Sequence, residues 1–155
     1  MYKLRPFRWL AVAAILASPL IGAAQSNEPF TSRLPPEVRA LLIQEMQAIL
    51  QSSQLVLDAL VRGEHALNEQ QAQLIHDSFI LAQELTPAGQ AALEAAAPPG
   101  FLALDQAFHE LSARLADAAR QRDSAAEQTI FAEMQQACIV CHAEHVADRF
   151  PGLAP

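Results

Sequence analysis

Cys138, Cys141 and His142 form the pattern Cys-Ile-Val-Cys-His near the C-terminus, and these two cysteines are the only ones in the 155-residue chain. Two thiols three positions apart, with a histidine directly after the second, have the spacing at which a haem is attached covalently to a protein. Each thiol can form a thioether with one vinyl group of the haem, and the histidine can bind the iron. The pattern therefore predicts one covalent haem c, with His142 as the proximal iron ligand.

Two other chemistries use the same residue types. The thiols could form a disulfide in an oxidising compartment, or Cys138, Cys141, His142 and His145 could bind zinc. A thioredoxin-like disulfide motif lies at a βα junction, which this sequence does not predict. Adjacent residues on a helix point about 100° apart, which makes joint zinc ligation by Cys141 and His142 awkward. Haem is the leading interpretation, and a haem-free helical module with a disulfide or a metal is the alternative.

Residues 1–24 have the features of a secretory signal peptide. Three basic residues precede an apolar stretch over residues 9–21, and small residues suit cleavage before Gln25. The stretch is short for a membrane span and contains Pro19, and an uncleaved N-terminal anchor is the alternative. Export agrees with haem attachment, which takes place outside the cytoplasmic membrane. We therefore expect a periplasmic protein that is soluble after cleavage.

The charge balance argues against nucleic-acid binding. The full chain has 10 basic and 17 acidic residues, and removal of residues 1–24 leaves 7 basic residues, all of them arginine, and a net charge of −10. A protein of this charge is repelled by a phosphate backbone. It can instead approach a basic redox partner protein with electrostatic assistance.

Helical periodicity predicts an all-α domain over residues 35–153, preceded by a flexible leader over residues 25–34. Four amphipathic helices with mostly short connections, and no strand pattern, predict an up-down-up-down antiparallel four-helix bundle with the haem attached near its C-terminus. The predicted helices run from Pro36 to a stop at Gly63, from Asn68 to Leu85, from Phe101 to Ala118 and from Ser124 to near residue 149. Thr86-Pro87 is predicted to cap a short helical turn over residues 88–97, and Pro98-Pro99-Gly100 to end it.

Capping and packing residues follow from the same pattern. Asn68 with Gln71, and Ser124 with Glu127, have the spacing of capping boxes. The apolar seam predicted for the first helix consists of Leu42, Met46, Ile49, Val56 and Leu60, with Ser53 completing the spacing.

The sixth position of the iron separates two functions. If the first and last helices are antiparallel neighbours, residues 43 and 44 of the first helix lie at the same height in the bundle as His142. At a rise of 1.5 Å per residue, Met46 lies about 3–4 Å further along that helix. Met46 is therefore the candidate sixth ligand, with plain core packing as the alternative. Met134 lies on the same helix as the attachment motif, so it cannot easily reach the opposite side of the haem. A thioether opposite an imidazole gives six-coordinate iron and tends to raise the reduction potential.

An exported four-helix bundle with Cys-x-x-Cys-His on its last helix resembles the class II c-type cytochromes, the family of cytochrome c-prime and its low-spin relatives. The resemblance covers residues 35–153. It implies that Cys138 and Cys141 hold the haem, that His142 is the proximal ligand and that Met46 completes the coordination, as in low-spin members. The implied function is one-electron transfer with redox partner proteins rather than enzymatic catalysis.

High-spin members of the family leave the iron five-coordinate and bind nitric oxide or carbon monoxide, which is the alternative function. Cytochrome c-prime commonly has an aromatic and then a basic residue where this chain has His145 and Val146. That departure fits a low-spin electron carrier at least as well as a gas-binding protein. Members can pair through the outer faces of their first two helices, and both a monomer and a homodimer agree with the sequence.

Overall fold

The computed structural model describes residues 29–78 and 81–153. Over these ranges the regular structure is entirely helical, which confirms the prediction of an all-α protein. The helices are α1 (Pro36–Arg62), α2 (His65–His76), α3 (Leu81–Glu84), α4 (Pro87–Ala96), α5 (Phe101–Arg120) and α6 (Ser124–His145). None of the helices described is long and apolar enough to cross a membrane. The signal peptide predicted over residues 1–24 lies outside the described residues.

Several predicted boundaries are confirmed. α1 ends before Gly63, whose φ of 70° is the left-handed conformation that favours glycine at a helix C-terminus. Thr86 caps α4, because its hydroxyl accepts a hydrogen bond from the amide of Gly89 at 3.1 Å. α5 begins at Phe101, directly after the predicted Pro-Pro-Gly break.

The second helix is shorter than predicted. α2 begins at His65 and ends at His76, whereas the sequence predicted a helix from Asn68 to Leu85. The helix stops because Ser78 has a φ of 55°, which an α-helix cannot contain. The chain becomes helical again only in the four residues of α3.

The residues predicted to cap the second helix lie inside it. Asn68 and Gln71 are both buried in α2. The Nδ2 amide of Asn68 donates to Oε2 of Glu127 at 2.7 Å, and Oε1 of Gln71 accepts from the hydroxyl of Ser52 at 2.8 Å. The predicted capping box is therefore wrong, because these amides serve contacts with α6 and α1 instead.

Glu127 is also not the capping residue that the sequence predicted. The cap of α6 is Asp123, whose carboxylate accepts from the amide of Ala126 at 3.1 Å. Glu127 is only 2% exposed. Its Oε1 lies 2.5 Å from Nδ1 of His65, and its Oε2 accepts from Asn68. This buried carboxylate therefore ties the first turn of α6 to the first turn of α2.

Two apolar clusters make up the core. α1 packs against α2, α2 against α5 and α5 against α6, while α1 and α6 approach each other less closely. The main cluster lies between these four helices, and its largest fully buried side chains are those of Val56, Ile75, Leu115 and Met134. The terminal cluster consists of Phe30, Leu34, Val38, Leu42, Leu93, Ala96 and Phe101.

Part of the predicted flexible leader belongs to the folded domain. Phe30 and Leu34 are buried in the terminal cluster, and the ring centroid of Phe30 lies 4.8 Å from that of Phe101. The domain therefore begins by residue 30, because two large apolar side chains upstream of the predicted boundary find a place in the core. Residues 25–28 of the predicted leader lie outside the described residues.

The buried face of α1 is rotated relative to the predicted seam. Its buried residues are Val38, Leu42, Glu45, Ile49, Ser52, Val56 and Ala59. Glu45 can occupy a core position because its carboxylate accepts hydrogen bonds from the hydroxyl of Ser78 at 2.9 Å and from the amide of Leu81 at 3.2 Å. Met46, which was predicted on the seam, is only partly buried at the edge of this face.

We expect Glu127→Ala to lower the free energy of unfolding by about 1–3 kcal/mol from the loss of Asn68's hydrogen-bond partner alone, because a buried amide would be left unsatisfied. Chemical denaturation of the variant and the parent measures this difference. Gln128→Ala is the control, since Gln128 is the next residue on α6 and is exposed; its effect should stay within about 0.5 kcal/mol. Equal denaturation midpoints for Glu127→Ala and the parent would contradict the expected role.

Candidate haem-attachment site

α6 carries the three predicted attachment residues on one continuous helix. Neither glycine nor proline interrupts Ser124–His145, so the helix continues through the motif and ends before Val146. Cys138 and Cys141, three positions apart, share one face of the helix. His142 follows directly and points about 100° away from Cys141.

The helix face around the motif is only partly covered by the rest of the protein. The fully buried residues of α6 end at Met134. Beyond that point the two thiols and His142 are half-buried, and Ile139 and Val140 are 46% and 41% exposed. The motif therefore lies where the apolar interior meets the surface.

Both cysteines are free thiols. Burial raises the pKa of Cys138. Burial is also the main reason that the pKa of Cys141 is raised, and the negative charge of Asp105 raises it further. Both groups are therefore neutral thiols at pH 7.

The two alternative chemistries are not formed in the structure. Cys138 and Cys141 are free thiols in this structure, and the haem-free alternative with a disulfide stays a prediction. In residues 29–78 and 81–153, no group of three or more His, Cys, Asp or Glu side chains is arranged to hold a metal ion. The four residues considered for zinc therefore do not converge on one point.

His142 is held by an aromatic contact that the sequence did not predict. After α6 the chain turns back, and the ring of Phe150 stacks on His142 with 4.5 Å between centroids and 6° between planes. Burial lowers the pKa of His142. Its imidazole is therefore neutral at pH 7, which is the form that binds iron.

One carboxylate from another helix acts on the motif, and a second acts on that carboxylate; neither was predicted from the sequence to be a site residue. Asp105 of α5 raises the pKa of Cys141 and lies 3.9 Å from Nε2 of His109. The pKa of Asp105 is itself raised, chiefly by burial; His109 opposes this rise and Glu45 of α1 adds to it. Glu45 offered one signal in the sequence, since it is a charged residue three positions after Leu42 and four before Ile49, at a core position of α1.

Met46 adjoins the same apolar cluster as the end of α6. Its side chain packs against both the main and the terminal cluster, and Val146 also packs against the terminal cluster. Met134, in contrast, is 1% exposed within the main cluster. Of the two methionines considered as ligands, Met46 is therefore the one with partial exposure.

The residues present fit a covalently held haem, because two free thiols share one face of a helix that is half-exposed there and a neutral imidazole follows them. Comparisons with protein-family models, with curated proteins and with solved structures each found no match. The resemblance to class II c-type cytochromes therefore stays a prediction carried by the residues of α6 and α1.

In haem-free protein we expect Asp105→Asn to lower the pKa of Cys141, because it removes a negative charge that disfavours the thiolate. Iodoacetamide should then alkylate Cys141 severalfold faster at pH 8, as measured by peptide mass spectrometry. Cys138 should keep its rate, since burial is what raises its pKa. The control Glu110→Gln removes an exposed charge from the same helix and should change neither rate. An unchanged Cys141 rate in Asp105→Asn would contradict the electrostatic contact.

Proposed function

We propose that this protein is a periplasmic monohaem c-type cytochrome that transfers single electrons between redox partner proteins. The observation that carries the proposal is the arrangement on α6, where two free thiols on one half-exposed face are followed directly by a neutral imidazole. When bound, the haem supplies an iron that cycles between the ferric and ferrous states. No substrate is transformed, so the protein is not an enzyme.

Each residue of the motif has a distinct role in this proposal. Cys138 and Cys141 would hold the haem, each S–H adding across one vinyl group to give a thioether. His142 would bind the iron on the proximal side. The stack with Phe150 restrains the imidazole ring of His142, and burial keeps it in the neutral form.

We also propose that α1, α2, α5 and α6 are the four helices of an up-down-up-down bundle, with α3 and α4 within the connection between its second and third helices. Support comes from the packing order, in which each of these helices lies against the next along the chain. The α1–α2 and α5–α6 connections are only two and three residues long. Such a bundle would be least closed between α1 and α6, the helices that carry Met46 and the attachment motif.

Met46 is the proposed sixth ligand, which would make the iron low-spin. A five-coordinate protein that binds nitric oxide or carbon monoxide is the second candidate. The observation that favours the second candidate is the packing of Met46 against both apolar clusters, because this gives the side chain a structural role without the iron.

The charge of the chain supports a basic redox partner. Without residues 1–24 the net charge is −10, and the haem propionates would make it more negative. Electrostatic attraction of this kind mainly raises the rate of association. The exposed side chains of Ile139 and Val140, between the two thiols, give the partner an apolar contact next to the proposed haem.

Haem attachment should depend on both thiols. Protein matured in a host that attaches haem should have the mass of one haem above the processed polypeptide and keep it in acidified organic solvent. The double variant Cys138→Ser, Cys141→Ser should have the bare polypeptide mass, because no thioether can form. Ala137→Ser, which alters the preceding half-buried residue, is the control and should keep the haem. Colourless parent protein of polypeptide mass would refute the proposed function.

The role of Met46 should be visible in the spin state. Met46→Leu keeps the side-chain volume and should cost less than about 1.5 kcal/mol of stability, but it removes the sulfur and should convert the haem from low spin to high spin. Met134→Leu is the control and should stay low-spin. Absorption spectra of the ferric and ferrous forms measure the change. A high-spin parent that binds carbon monoxide rapidly would support the gas-binding candidate instead.

A further inference from the structure

His145 carries a buried nitrogen that has no hydrogen-bond partner. Its side chain is 3% exposed, and within the part of the chain that the structure describes its Nε2 makes no hydrogen bond. The ring meets Phe101 edge-on, with 5.6 Å between centroids. The carboxylate of Glu144 is 4.0 Å from Nε2, which is too far for a hydrogen bond. Because buried polar groups are nearly always paired, this nitrogen points to a missing partner.

The position of His145 on α6 indicates what that partner is. His145 comes seven positions after Cys138 and four after Cys141, so the three side chains share one face of the helix. A haem joined to both thiols has to lie against this face. The charged hydrogen-bonding groups of a haem are its two propionate carboxylates, and both accept hydrogen bonds.

We propose that Nε2 of His145 donates a hydrogen bond to a propionate of the attached haem, an inference that rests on the proposed function. A hydrogen bond to a carboxylate is of the strong, charge-assisted kind, and it would satisfy the buried nitrogen. The bond offsets part of the negative charge of the propionate. Because that charge stabilises ferric iron, the bond favours the ferrous state. His145 is thus a positioning residue that fixes one edge of the haem and raises its reduction potential.

The test uses haem-bearing parent protein and three variants, each checked by intact mass for one haem. His145→Phe keeps an aromatic ring against Phe101 but removes the N–H group. His145→Gln loses the ring but keeps an N–H donor. Glu144→Gln alters only the neighbouring carboxylate. The measurements are the propionate bending band in the resonance Raman spectrum and the reduction potential.

We expect His145→Phe to shift the propionate band and lower the potential, and His145→Gln to return both towards the parent values. Glu144→Gln should leave the band in place and should not lower the potential, because it removes a negative charge. Parent values in His145→Phe would overturn the inference. Equal shifts in the Phe and Gln variants would also overturn it, because they would mark a packing effect. A band shift in Glu144→Gln equal to that in His145→Phe would overturn it as well, since Glu144 would then be the hydrogen-bond partner of His145.

One measurement needs no variant and covers the case in which a substitution prevents folding. In the ferrous parent, nuclear magnetic resonance should show a through-space contact between the Nε2 proton of His145 and the methylene protons of a propionate. Its absence would overturn the inference. A parent without haem would overturn the proposed function together with this inference, whereas a haem-bearing parent without the contact would overturn the inference alone.

Discussion

Buried hydrogen bonds to α2 hold the three other long helices in register. The pairs are Ser52–Gln71 from α1, Ser112–Ala72 from α5 and Glu127–Asn68 from α6, with bond lengths of 2.8, 2.5 and 2.7 Å. Apolar contacts are not directional, so an Ala- and Leu-rich interior alone would allow the helices to slide and rotate. Each polar pair is satisfied only in one register, because a slip would leave a buried group without its partner. The position of α6, and with it the attachment motif, depends on this network.

The helical repeat of α6 then decides which side chains of the motif can act together. Its first half is anchored in the main cluster through Ile130, Phe131 and Met134, while the motif in its second half is only half-buried. The last residue, His145, meets Phe101 of the terminal cluster. Positions 138, 141 and 145 share one face, and position 142 lies about 100° from position 141. In the proposed holoprotein the face with positions 138, 141 and 145 would attach and orient the haem, and His142 would bind the iron. One uninterrupted helix would thus direct the haem-attaching side chains and the iron-binding side chain about 100° apart.

The sequence predicted the local features well and the contacts between helices poorly. The stop at Gly63 and the cap at Thr86 depend on the chemistry of neighbouring residues, and both are confirmed. The capping boxes failed because Asn, Gln and Glu can serve equally well as buried hydrogen-bonding groups, as Asn68, Gln71 and Glu127 do. Asn68 and Glu127 bond to each other, and only the meeting of α2 with α6 reveals it. The rotated face of α1 has the same origin. Glu45, whose carboxylate is hydrogen-bonded, occupies the core position that the hydropathy pattern predicted for Met46.

In the proposed holoprotein the surroundings of the motif would tune the reduction potential of the haem. Cys-x-x-Cys-His would supply the attachment, but the reduction potential would depend on the second axial ligand and on nearby charges. The sulfur of Met46 would raise the potential. The carboxylate of Asp105, which already disfavours a thiolate at Cys141, would stabilise the ferric state and lower the potential. Burial raises the pKa of Asp105, so Asp105 becomes protonated at a higher pH than an ordinary surface aspartate. Its protonation as the pH falls would remove the negative charge that lowers the potential. In the proposed holoprotein the potential would therefore depend on groups from α1 and α5 as well as on residues of α6 itself.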